Sequence, residues 1–80
     1  MILVTDCNVV GCSKGQGQRG EYYNVSVVVD GEAQNLGCTQ EVYGKCRELA
    51  FGTEMKLVVD LRRYGRDWGV RVVELNHYEE

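Results

Sequence analysis

Residues 21 to 31, EYYNVSVVVDG, restrict the fold more than any other stretch of the chain. Tyr23, Val25, Val27 and Val29 alternate with Tyr22, Asn24, Ser26 and Val28. A period of two sends these sets to opposite faces of a strand, one face for a core and one left as usable surface. The run ends on Asp30-Gly31, the pair favoured in type I′ hairpin turns because both central residues need positive φ. The strand must therefore double back at once into a short third strand, AQNLGC.

The same reading extends in both directions. Residues 1 to 10 read as a β-branched first strand, and GCSKGQGQRG, residues 11 to 20, as a flexible glycine-rich loop. After Cys38 the period changes: Thr39 is an N-cap, Glu41 suits the first turn, and Val42, Cys46 and Leu49 form one stripe. This predicts a short amphipathic helix from residue 40 to about residue 50, closed near Gly52, with Cys46 in the core and Gly44 costing about 1 kcal/mol relative to alanine. EMKLVVDL alternates as strand four, with Met55, Leu57, Val59 and Leu61 on one face. WGVRVVEL is strand five, after a turn centred on Tyr-Gly-Arg-Asp.

With 80 residues the chain has material for one domain, residues 1 to 80, and one core. The element order predicts an all-β fold with one short helix, a five-stranded antiparallel OB-fold barrel with the helix between strands three and four. An SH3-like barrel or a small open sheet with one helix shares the same string of elements.

The charge pattern bears on function more than the total does. Net charge is −3, the wrong sign for polyanion binding by overall field. Yet residues 62 to 71 hold Arg62, Arg63, Arg66 and Arg71 against Asp67 alone, while Glu32, Glu41, Glu48, Glu54, Glu79 and Glu80 lie in turns, helix and tail. In an OB-fold the loops joining strands one to two and four to five flank the oligonucleotide groove. Here the first supplies Lys14 and Arg19 and leads into Tyr22 and Tyr23. The second supplies Arg62, Arg63, Tyr64, Arg66 and Trp68, with Arg71 close behind. Cations suit phosphates, and aromatic rings and guanidinium planes stack on unpaired bases without reading sequence. The expected site is thus Lys14, Arg19, Tyr22, Tyr23, Arg62, Arg63, Tyr64, Arg66, Trp68 and Arg71, with Trp68 either a core anchor or a contact. By alternation Tyr22 is the stacking ring and Tyr23 belongs to the core.

MILV at the start, the basic glycine-rich loop running into RGEYYNV, and DLRRYGRDWGVRVVEL resemble the gene V single-stranded DNA-binding proteins of filamentous phages. The resemblance implies an OB-fold homodimer that coats single-stranded DNA cooperatively during phage or mobile-element replication. It also implies that Arg19, Tyr23 and Tyr64 take the positions of that family's loop cation, loop tyrosine and dyad aromatic. A one-residue bulge in strand two would exchange the faces of Tyr22 and Tyr23, so both stay candidates.

Other classes have less in their favour. His77 is the only histidine, no Ser-His-Asp or paired-carboxylate arrangement is evident, and GQGQRG lacks the GK[ST] of a phosphate loop, so no enzyme and no cofactor are expected. The spacings of Cys7, Cys12, Cys38 and Cys46 form no CxxC knuckle, so no metal is expected and the thiols are read as reduced. No signal peptide or transmembrane run is visible, which suggests a cytoplasmic protein without membrane contact. A protein-interaction or dimerisation module, and an RNA-binding OB domain, remain the alternatives to single-stranded DNA binding.

Overall fold

The computed structural model describes residues 1–77, Tyr64 through its backbone alone. Tyr78 and the tail glutamates Glu79 and Glu80 lie outside the described residues. The elements are β1 (Ile2–Gly17), β2 (Gly20–Val29), β3 (Glu32–Cys38), α1 (Gln40–Cys46), β4 (Thr53–Tyr64) and β5 (Asp67–Asn76). They close into a barrel in the order β1-β2-β3-β5-β4, with β4 returning to pair with β1. This is the five-stranded barrel with its helix between strands three and four that the sequence leads one to expect.

One seam is of a different kind. Four neighbouring pairs run antiparallel, whereas β3 and β5 run parallel and meet through only Gly37↔Arg71 and Cys38↔Val72. The helix carries the chain across between β3 and β4, and this crossover leaves β5 pointing the same way as β3. An entirely antiparallel barrel is corrected to a mixed one at this closing seam.

Alternation decides what the barrel encloses. Val25 and Val27 of β2 are completely buried, as are Met55 of β4 and Val72 of β5. Cys7 and Val9 of β1, Leu57 of β4 and Leu75 of β5 join them, and Val42 and Cys46 of α1 close the core cluster. Each fully buried aliphatic side chain of this kind contributes roughly 1.5–3 kcal/mol by leaving water. Among the described residues no polar or charged side chain is buried, so the interior is held by apolar packing.

The turns follow from backbone chemistry. Asp30 and Gly31 both have positive φ, 50° and 80°, as the type I′ turn between β2 and β3 requires. At the tip of the β4–β5 hairpin Gly65 has φ of 63°, the conformation a glycine supplies at the first central position of a type II′ turn.

Three expected boundaries move. The glycine-rich segment from residue 11 is no flexible loop: β1 continues through it to Gly17, paired with β2 down to Gly17↔Gly20, so only Gln18 and Arg19 form the turn. A bulge between Val9 and Gly11 bends β1 where it leaves the barrel wall, and β2 supplies the ladder that the weak β-propensity of glycine does not. The helix stops at Cys46 and not near residue 50. Exposed Gly44 weakens it, and the backbone tightens afterwards into i→i+3 bonds, from Glu48 N to Lys45 O at 3.2 Å and from Leu49 N to Cys46 O at 3.1 Å. Its start is as read: the Thr39 hydroxyl oxygen accepts the Val42 N–H at 3.2 Å. Finally, β4 runs on to Tyr64, so Arg62 and Arg63 are strand residues with opposite faces and not members of one loop.

Candidate nucleic-acid interface

That last boundary reorganises the arginine cluster. Residues directly opposite each other in an antiparallel pair share a face. Arg62 pairs with Gly69 and Asp60 with Arg71, so Arg62, Asp60 and Arg71 lie on one side of the β4–β5 hairpin. Arg63 pairs with Trp68 and Leu61 with Val70, which puts those four on the other side. The cationic stretch of the sequence is thereby split between two surfaces.

The side carrying Arg62 and Arg71 faces a groove of about 860 Å³. From β2 the groove takes Glu21, Tyr22, Tyr23 and Asn24; from β3 and the helix start it takes Gly37, Cys38, Thr39 and Gln40. Its far wall is Asp60 and Arg62 of β4 with Gly69, Arg71 and Val73 of β5, and Val70, though its side chain is on the opposite face, also borders it. The depth comes from glycine. Gly37 stands between Asn24 and Arg71 in the ladder, and no heavy atom lies within 4 Å of the point where its Cβ would be.

The two tyrosines are placed by different contacts. Tyr22 is 52% exposed and its ring lies over Gly15, its partner across the ladder, so closely that a Cβ on Gly15 would run into the phenol. Tyr23 is half-buried on the valine row. Its ring sits 5.1 Å from that of Tyr43 on α1, and its hydroxyl donates to Glu21 Oε2 at 2.7 Å. This bond to a carboxylate favours the protonated phenol and raises its pKa. The irregularity in the first hairpin falls in β1 and not β2, so the faces of Tyr22 and Tyr23 are those that alternation assigns. Both nonetheless line the groove, because it reaches the edge where the barrel wall opens into the hairpin.

Charge in the groove is balanced rather than cationic. Arg62 Nε donates to Asp60 Oδ2 at 2.8 Å, and Asp60 Oδ1 is 3.6 Å from the Met1 amine. The bond from Arg62 holds the Asp60 carboxyl below the usual aspartate range, so it stays ionised. Glu21 supplies a second negative charge to the groove lining.

Of the ten expected site residues, Tyr22, Tyr23, Arg62 and Arg71 come together at this groove. Lys14 pairs with Tyr23, and Arg19 sits at the tip of the first hairpin; neither lines the groove. Arg63 is turned to the other face, its Nε bonded to Gly65 O at 3.0 Å, and Arg66 is at the second tip. Trp68 is 58% exposed, which removes the core-anchor reading. The Tyr64 side chain lies outside what is described. Sequence reasoning missed Glu21, Asn24, Thr39, Gln40 and Asp60. The outward position of Asn24 was visible in the β2 alternation, but Asp60 needed the register that sets it against Arg71.

The cysteines form a separate cluster inside. Cys46 Sγ donates to Gly11 O at 3.3 Å and has Cys12, Cys38 and Cys7 as electrostatic neighbours; burial first, then these thiols, push its pKa up to about 12. Burial raises the pKa of Cys7 and Cys38 as well. All four cysteines are free thiols. Among the described residues no group of three His, Cys, Asp or Glu side chains is placed to hold a metal ion, and no helix is long and apolar enough to cross a membrane.

No protein-family model matches the chain, and a comparison with curated proteins gives no match either.

Proposed function

We propose that the protein binds single-stranded DNA along this groove, tolerating most sequences. The observation that carries the proposal is the meeting, in the lining of one groove, of Tyr22 and Tyr23 from β2 with Arg62 and Arg71 from β4 and β5. An exposed ring offers a stacking platform, two guanidinium groups offer phosphate and base contacts, and a glycine floor admits a flat base. A duplex has its bases already stacked and cannot use such a platform. The sequence resemblance to the gene V proteins supports the same reading and adds a homodimer and a setting in phage or mobile-element replication. Self-association also suits the exposed apolar start of β1, where Ile2 and Val4 are 57% and 59% exposed. Lys14, Arg19, Arg63 and Arg66 along the two hairpins act at longer range, drawing the strand in.

The test is fluorescence anisotropy with a labelled oligo-dT of about 12 nucleotides, within the length one OB fold covers. With Arg62 and Arg71 as the phosphate contacts, the slope of log K against log salt should be about −1.4, whereas engagement of Lys14, Arg19, Arg63 and Arg66 as well would steepen it to about −4. Gly37→Val should abolish binding while the barrel stays folded, since the added methyl groups enter open groove. Absence of oligo-dT binding at low salt would reject the function and leave a protein-interaction module in its place. Tighter binding to RNA than to DNA of the same length would move the assignment to an RNA-binding domain.

A further inference from the structure

We propose that the groove holds one base of the bound strand and that guanine is the base it takes best. The inference rests on the strand-binding reading above and specifies what that site recognises.

The argument starts from the charge balance. A groove built only to follow phosphates would gain nothing from an ionised carboxylate on its wall, because Asp60 repels phosphate and offsets the attraction of Arg62. A base edge is a different ligand: it is neutral and carries donors as well as acceptors. Asp60 and Arg62 are fixed against each other at 2.8 Å, and Arg71 sits across the ladder from Asp60, beside the open floor at Gly37. The wall therefore sets a carboxylate beside the guanidinium fork of Arg71.

Guanine is the natural base whose edges match that arrangement. Its N1–H and 2-amino group are adjacent donors, suited to the two oxygens of one carboxylate. Its O6 and N7 are adjacent acceptors, suited to the fork of an arginine. Adenine and cytosine place a donor beside an acceptor, which suits an amide side chain. Thymine offers a single N–H between two carbonyl oxygens. The bond from Arg62 uses Oδ2 of Asp60, and a carboxylate has about four lone-pair sites, so acceptor capacity remains while the group is held in position. Oδ1, 3.6 Å from the Met1 amine, is the less tightly held oxygen.

The experiment keeps the whole chain and changes the ligand first. Oligo-dT of about 12 nucleotides with one central guanine, adenine, cytosine or thymine is compared by anisotropy, with a good bidentate contact expected to favour guanine by on the order of ten-fold. Inosine, which lacks the 2-amino group, and 7-deazaguanine, which lacks N7, should each lose most of that preference. Asp60→Asn should abolish the preference and raise oligo-dT affinity by removing a negative charge from the groove wall, while Glu21→Gln should raise oligo-dT affinity likewise and keep the preference. Equal affinity for all four central bases, with oligo-dT binding intact, overturns the guanine assignment and leaves strand binding standing. Binding to no oligonucleotide overturns both together. Loss of the preference in Glu21→Gln but not in Asp60→Asn overturns the role of Asp60. If Asp60→Asn does not fold, as read by circular dichroism, the inosine comparison on the unaltered chain decides by itself.

Discussion

The β1–β2 and β4–β5 hairpins both end in two-residue turns, Gln18-Arg19 and Gly65-Arg66, yet they are fastened to the molecule by different means. The first is held by ring contacts: Tyr22 lies on Gly15 across its own ladder, and Tyr23 meets Tyr43 of α1, over which Arg47 adds a cation–π contact at 5.8 Å. The second carries bonds within its own strands, from Arg62 to Asp60 and from Arg63 to Gly65, is tied to the chain start by the Met1 amine, which donates to Leu61 O at 3.0 Å, and leaves Trp68 and Val70 exposed. Rings that must present a flat face are thus positioned by packing, Tyr22 against its partner strand and Tyr23 against the helix. Charged groups that must reach a ligand are positioned by short-range hydrogen bonds, which can be exchanged for bonds to that ligand.

The most severe way to break the contrast is to remove the barrel beneath both hairpins. Leu57→Ala should cost about 2–5 kcal/mol in urea denaturation, and both hairpins should lose protection together, because the cavity lies in the core they share. A substitution in the stacking platform should separate affinity from stability. Tyr22→Ala should weaken oligo-dT binding by about 1–3 kcal/mol, while stability stays within about 0.5 kcal/mol of the parent. Trp68→Ala, on the face turned from Arg62, should weaken binding less than Tyr22→Ala does; the reverse order would move the strand to the tip of the second hairpin. Tyr43→Ala addresses the fastening itself. It should remove about 0.5–1.5 kcal/mol of ring pairing and raise amide exchange in the first hairpin, with the second unchanged.

The smallest expected effect concerns acid. The Asp60 pKa is lowered in the folded state, so its ion pair with Arg62 stabilises the protein above the ordinary aspartate value and is lost as pH falls through the folded value. In Asp60→Asn this part of the acid sensitivity should disappear from the midpoint of denaturation followed against pH. The first hairpin should show no such change.

Much of the fold was legible because its signals are local. The Val25 and Val27 alternation, the Asp30-Gly31 turn and the Thr39 cap each depend on residues adjacent in sequence, and each appears as read. The errors lie where a distant partner decides. Residues 11 to 17 look like a loop until β2 is set beside them, and the parallel seam depends on where the crossover helix delivers β5. At the site the same division holds. Tyr22, Tyr23, Arg62 and Arg71 were identified by residue type and by the loops of the expected barrel, but the parity of β4, which turns Arg63 away and brings Asp60 in, depended on the strand reaching Tyr64. A one-residue difference in register would have reversed every side chain on that wall.

The closing seam of the barrel, with its two residue pairs, is also the bottom of the groove, because Gly37 and Arg71 belong to both. A molecule lying across that line would clasp the edges of two strands that the backbone itself joins only briefly. Occupancy would then be felt as a tighter cylinder, with thermal resistance rising in step with ligand concentration.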